Sequence, residues 1–377
     1  MKRIIPILAG IFIIFAISIF IRPAIIFLAK KQITQVFINS TVTVKNCDLR
    51  PLHLLSLSDI EIKNGQIYDI KIKEAGIQYS PFSIIKGKIL KFSLKDSKVT
   101  INLGEKSILE FNKLLNLNTN KSPFLINSLG LANLDLNIKS KELTFDARIS
   151  SEINSVNQLV NYLDCKINSL QAEGLDLKNA SLKAAQSLPS GSLYVEQIKY
   201  DKLKIEKIES SVRLIDKTLY FDSLSAGLFA GKIKGSANLL IDNPPEYLVN
   251  LQITELDLNT IVDDFKLNEK LDLSGRLNGT IALKGKGLNF TVLDGDFTAD
   301  APGGDLTIKD KSYLEKIARS SGQSLDILVE SFKNYHYNNG VVNLSLEQGN
   351  LVLNVDLNGE AGKRNLAVTL YGFNLRR

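Results

Sequence analysis

The chain has 377 residues, of which 46 are basic and 40 acidic, for a formal charge of +6, and 44% are hydrophobic. That apolar content suffices for a sizeable core, while interspersed charges, 7% aromatics and no Trp argue against a nucleic-acid surface, which clusters Lys and Arg around aromatics. Cys47 and Cys165 stand far apart without a CxxC partner, so neither a zinc site nor a disulfide framework is indicated, and one bridge remains open.

At the N-terminus, residues Ile4 to Ile21 carry no charge and are mostly Ile and Phe, between Lys2-Arg3 and Arg22. As a helix this run rises about 27 Å, close to the hydrocarbon thickness of a bilayer. No small-x-small cleavage site follows Ile21, so a retained transmembrane anchor is expected, with Ile4, Phe12, Phe15, Phe20 and Ile21 among its apolar residues. Basic residues flank both ends and leave its orientation open. Residues Pro23 to Phe37 continue as an amphipathic stretch that reads as an interfacial helix.

After Asn39 the dominant apolar period is two, the signature of strands with one apolar face. Ile60 and Ile62 alternate with Asp59, Glu61 and Lys63, Asn64-Gly65 supplies a turn, and Ile67, Ile70 and Ile72 follow on the return. The same pattern holds for Leu134, Leu136 and Ile138, then Leu143, Phe145, Ala147 and Ile149 across a polar turn. Further on come Leu251, Ile253 and Leu256, then Leu271, Leu273, Leu277, Ile281 and Leu283, with Gly275, Gly279 and Gly285 as punctuation. Near the end, Val342, Leu344 and Leu346 face Leu351, Leu353, Val355 and Leu357 across Glu347 to Asn350. This predicts a meander of consecutive hairpins.

Helical spacing interrupts the strands at Lys106 to Leu117, Ile153 to Leu163, Thr260 to Phe265 and Lys311 to Phe332, the last broken at Gly322. Roughly 16–20 strands follow, about 75–95 Å of sheet at the usual spacing if unbroken. So many apolar strand faces with so few helices have two solutions. Two sheets can pack into a sandwich, or one sheet can curl into a trough whose apolar face receives lipid chains.

Catalytic and metal constellations are incomplete. Asp294, Asp296, Thr298, Asp300 and Asp305 are spaced like a calcium loop, but Ala299 and Asp305 replace its Gly and its closing Glu, and the residues read better as the polar face of a strand. Gly279 to Gly287 lacks the Gly-Lys-Ser/Thr of a phosphate loop. His53 and His336 are the only histidines and belong to no HExxH or GxSxG context, and Asp263-Asp264 point about 100° apart on a helix. No enzyme and no cofactor is expected. Pro302-Gly303-Gly304 reads as a structural turn where the sheet meets the helical insert.

Three stretches resemble the AsmA-like proteins of Gram-negative bacteria, which include relatives of TamB, and in particular their YdbH branch. They are Ile77 to Leu90; the small-residue hairpin Leu228 to Leu239; and the region from Leu256 onward, with Leu273-Ser274-Gly275-Arg276-Leu277-Asn278-Gly279, Gly295-Asp296-Phe297, Pro302-Gly303-Gly304, Phe332 to Tyr337 and Leu357-Asn358-Gly359. The resemblance implies a mainly β chain whose long antiparallel sheet curls into a groove, with few short helices. It divides the chain into an anchor and juxtamembrane helix (1–38), an N-terminal and middle groove (39–255) and a YdbH-like β-domain (256–377) with a helical insert at 310–335. It implies an inner-membrane protein with most of its chain in the periplasm, taking part in phospholipid transport between inner and outer membranes. Its partners would be phospholipid acyl chains, the inner membrane and an outer-membrane lipoprotein or β-protein pairing with the C-terminal strand. The alternative is an envelope assembly scaffold with a closed sandwich interior. The candidate groove residues are Ile60, Ile62, Leu134, Leu136, Ile138, Phe145, Phe221, Ile233, Leu239, Leu273, Leu344, Leu346, Leu351, Leu353 and Val355.

Overall fold

A computed structural model describes residues 21–37, 39–50, 53–65, 67–105, 125–157, 159–172, 174–186, 191–242, 244–287, 289–310, 312, 314–315, 318 and 324–371. The protein is mainly β, with few short helices. It divides into two compact units, an N-terminal one, Met1–Ser187, and a C-terminal one, Leu188–Arg377.

Residues 21–36 form helix α1, as the amphipathic spacing predicts. The anchor expected at 4–21 lies outside the described residues except for Ile21, which opens α1; no described helix is long and apolar enough to cross a membrane. Ile26, Ile33 and Phe37 turn inward onto a cluster of Val44, Ile60, Ile62, Tyr68, Ala75, Ile101 and Leu103.

The N-terminal unit carries β1 (Thr41–Arg50), β2 (Leu54–Asn64), β3 (Tyr68–Gln78), the short helix α2 (Pro81–Ile85), β4 (Lys88–Asn102), β5 (Leu125–Lys139), β6 (Leu143–Asn154), β7 (Leu159–Ala172) and β8 (Leu175–Ala185). Each strand pairs with the next. The hairpin meander fails at one step, because β4 and β5 run parallel. A parallel pair needs a long crossover, and residues 103–124 provide it; the helix expected at Lys106 to Leu117 lies there, outside the described residues.

The helix expected at Ile153 to Leu163 is absent. Ile153 and Asn154 end β6, the Asn154 side chain accepts from the Val156 amide at 3.0 Å to form a turn, and β7 starts at Leu159. A register shift beside Ile153, which pairs with Val160, leaves Asn161 as an extra residue, so apolar Val160 and Leu163 acquire a spacing of three that imitates a helix.

The C-terminal unit begins with β9 (Gly191–Tyr200), β10 (Leu203–Ile215), β11 (Thr218–Leu228), β12 (Gly231–Leu240) and β13 (Glu246–Asp257). Helix α3 (Leu258–Asp264) follows, capped by the Asp257 side chain, and then β14 (Leu271–Leu273), β15 (Arg276–Lys286), β16 (Asn289–Ala299) and β17 (Gly304–Ile308). The chain ends with α4 (Leu325–Ser331), β18 (Tyr335–Tyr337), β19 (Asn339–Glu347), β20 (Asn350–Gly359) and β21 (Gly362–Leu370). Between β17 and α4, Ser312, Leu314, Glu315 and Ala318 are helical, so both parts of the expected insert are present, while Gly322 lies outside the described residues.

Strands β9 to β13, β15, β16 and β19 to β21 pair in that order, all antiparallel. Strands β14, β17 and β18 form a separate three-stranded sheet. The Pro302-Gly303-Gly304 turn carries the chain between the two. Gly303 has φ +75°, and a Cβ there would lie 1.7 Å from the Tyr337 carbonyl oxygen; at Gly304 it would lie 2.0 Å from that of Ser274. Glycine is required because backbone meets backbone.

Candidate apolar binding face

Strand register decides which side chains share a face, and it assembles apolar rows running across the strands. In the N-terminal unit one row is Val42, Ile62, Ile70, Val99, Leu136, Ala147, Ile167 and Ala180, each paired with the next from β1 to β8. Beside it run Val44, Ile60, Ile72, Ser97, Leu134, Ile149, Cys165 and Leu182. On the flank are Tyr68, Ile101, Ile138, Phe145, Leu170 and Leu177. None of these positions carries a charge.

The C-terminal unit repeats the arrangement. Val212, Phe221, Ala237, Val249, Leu283 and Leu293 make one row. Leu224, Gly235, Leu251, Ile281, Gly295, Leu344 and Leu353 make the second. Ala226, Ile233, Ile253, Gly279, Phe297, Val342, Val355 and Leu366 make the third.

Strict alternation would not keep these rows aligned. Extra residues in left-handed backbone reset it: Asp59, Asp96, Asn133 and Asn179 in the first unit, Lys207, Ser223 and Glu255 in the second, with φ between 46° and 56°. All but Asp96, which lies between Leu94 and Ser97, sit next to an apolar spacing of three, as in Ile205/Ile208, Phe221/Leu224 and Ile253/Leu256. A bulge of this kind bends its strand locally, increases the local twist and returns the apolar side chains to one side.

The opposite face is charged. Arg148 donates two hydrogen bonds to its cross-strand neighbour Asp135, at 2.6 and 3.1 Å, and Arg213 does the same to Asp222, at 2.6 and 3.2 Å. These guanidiniums hold both carboxyl groups below the usual carboxylate range. The pairs are exposed and contribute little stability, but they mark the watered side. Asp294, Asp296 and Thr298 lie on the exposed side of β16, with Leu293 and Ala299 buried on the other, as the strand reading predicts.

Parts of the apolar face are covered. α1 lies over the first four strands through the cluster described above. In the C-terminal unit, Leu258 of α3, Leu306 of β17, Leu314, Ala318, Leu328 of α4, Phe332, Tyr335 and Tyr337 pack onto the row of Ile233, Ile253, Phe297, Val342 and Val355. The Tyr337 hydroxyl donates to the Ser274 carbonyl at 2.6 Å, and burial, reinforced by Asp305, pushes its pKa up to about 12. His336 sits in β18 with Nδ1 2.9 Å from Asp305, on the exposed side and away from the rows.

Of the candidate residues, Ile60, Ile62 and Ile233 are fully buried; Leu134, Leu136, Ile138, Phe145, Phe221, Leu239, Leu344, Leu346, Leu351, Leu353 and Val355 are half-buried members of these faces. Leu273 stands apart, since it belongs to β14 and pairs with Leu306 in the small sheet. The chain breaks at Ser274-Gly275, where Gly275 has φ +117°, before the long sheet resumes at Arg276. Sequence reading passed over Val99, Ile167 and Val249, which the register places in the same rows as the named candidates. Cys47 and Cys165 are free thiols, on β1 and β7 of one paired run, and burial raises both pKa values.

No curated protein and no solved structure matches the chain. Residues 131–370 match the family model described as YdbH-like, intermembrane phospholipid transport protein YdbH. The match takes in more than half of the chain and runs from β5 to β21, so the protein belongs to the YdbH-like family.

Proposed function

We propose that this protein is anchored in the inner membrane by residues Ile4 to Ile21, holds most of its chain in the periplasm, and takes part in moving phospholipid between the inner and outer membranes without catalysing a reaction. The observation that carries this reading is the set of uncharged apolar rows crossing the strands of each unit, on the face opposite the ion pairs. Family membership supports the substrate class.

Curled into a groove, such a face replaces water around acyl chains. Each CH₂ removed from water gains about 0.8 kcal/mol, so a chain of about sixteen carbons strongly prefers the rows to water. A smooth face with no charged trap suits sliding rather than tight binding. Among the described residues β21, paired with β20, is the last strand of the run, and its other edge suits strand addition by an outer-membrane lipoprotein or β-protein.

Photoreactive residues at Leu136, Leu239 and Leu353 test the reading in cells. Phospholipid adducts are expected at all three, and their absence from all three removes the groove.

A further inference from the structure

Helix α2 is a corner of five residues with its apolar side chains turned outward. Ser80 caps it, its hydroxyl accepting from the Ser83 amide at 3.1 Å while the Ser83 hydroxyl accepts from the Ser80 amide at 2.8 Å, and Pro81 opens the first turn. The corner is therefore fixed, with Ser83 as its buried side chain. Phe82 is 79% exposed and Ile85 82%, with Ile84 also exposed. Exposed Leu125 adjoins them, its amide bonded to the Gly87 carbonyl at 2.8 Å; the β6–β7 turn with exposed Val156 is joined nearby, the Ser155 amide bonding the Asn127 carbonyl at 2.9 Å. Lys86 and Lys88 are exposed beside this patch, and no acidic residue occurs from Tyr79 to Lys95.

The placement of this patch identifies what covers it. α1 runs alongside β1 in the opposite direction: Arg22 lies 3.7 Å from Asp48 near the end of β1, and the Phe37 ring lies 5.8 Å from that of Tyr68 at the other end. Ile21, the last residue of the apolar run that begins at Ile4, therefore lies at the Arg50 end of β1. α2 occupies that same end, because the Tyr79 amide bonds the His53 carbonyl at 3.0 Å and the Tyr79 hydroxyl bonds the Arg50 carbonyl at 3.2 Å. The opposite end, with the turns at Gly65, Gly104 and Lys141, lies about 30 Å away along strands of this length.

We infer that the α2 corner docks on the surface of an anionic phospholipid bilayer, Phe82, Ile84 and Ile85 entering the headgroup boundary and Lys86 and Lys88 meeting lipid phosphates. This extends the reading above but rests on membrane insertion of residues 4–21, not on the groove. The corner holds the strand ends of the N-terminal unit against the membrane that the anchor enters.

The absence of Trp from the chain makes the test direct. Full-length Phe82→Trp protein is reconstituted into phosphatidylcholine vesicles with brominated acyl chains, with and without phosphatidylglycerol, beside Lys141→Trp at the opposite end. Indole fluorescence of the Phe82→Trp protein is expected to fall severalfold and that of the Lys141→Trp protein to hold, with Lys86→Glu/Lys88→Glu weakening the quenching in phosphatidylglycerol vesicles. Equal quenching in the two proteins overturns the inference. So does emission from the Phe82→Trp protein that shifts with protein concentration in detergent, which assigns the patch to a second copy of the chain. Loss of quenching with intact lipid adducts at Leu136 sinks the docking and leaves the transport reading standing.

Discussion

Tyr337 shows how one side chain ties the small sheet to the turn that feeds it. It is 1% exposed, and its hydroxyl is committed to Ser274. Its phenol ordinarily titrates near 10.0 and here near 12. Below pH 10 the phenol is protonated in both folded and unfolded chains, and its contribution is complete. Between pH 10 and 12 the unfolded chain sheds the proton while the folded chain keeps it, so stability falls by up to about 1.4 kcal/mol per pH unit, on the order of 3 kcal/mol in all. Tyr337→Phe is expected to cost about 1 kcal/mol at neutral pH through the lost hydrogen bond and to flatten this alkaline decline, as denaturant unfolding across pH will read. Gly303 and Gly304 belong to the same joint, and there the sequence was legible: only glycine admits the backbone of Tyr337 and Ser274 so closely.

Among the elements, the strands are the strong signal and their edges the weak one. Alternation in β2, β5, β16 and β20 follows from one watered and one apolar face. What alternation leaves open is which strand lies beside which, and hence that Val99 meets Leu136 across the parallel step. Bulge residues hide the pattern further, as the false helix at Ile153 to Leu163 shows. The rows make a sharp expectation for β5. Leu136→Glu puts a carboxylate into an apolar row between Val99 and Ala147, at a cost of about 1–3 kcal/mol, and is expected to leave the fold intact while abolishing lipid adducts from a photoreactive group at Ala147. Leu136→Met keeps the volume and should keep the adducts. Unchanged adducts with Glu would mean that lipid does not pass along this row.

At the scale of the molecule, each unit has its own buried cluster, one centred on Ile60, Ile62 and Tyr68 and the other on Ile253, Leu314 and Tyr337. Stability is accordingly local. Ile62→Ala should cost about 2–5 kcal/mol and speed amide exchange in β1 to β4, with β12 to β20 unchanged in the same exchange experiment. The β character, the amphipathic α1, the turn at Pro302 to Gly304 and the uncharged face were legible from the residues alone, because period, turn chemistry and charge placement are local properties of the chain. The parallel β4–β5 step, the departure of Leu271–Leu273 into a separate sheet, and the rows that lie under α1 and the C-terminal insert emerge in the folded chain. These depend on contacts between residues remote in sequence, where register and bulges, rather than residue type, choose the neighbours.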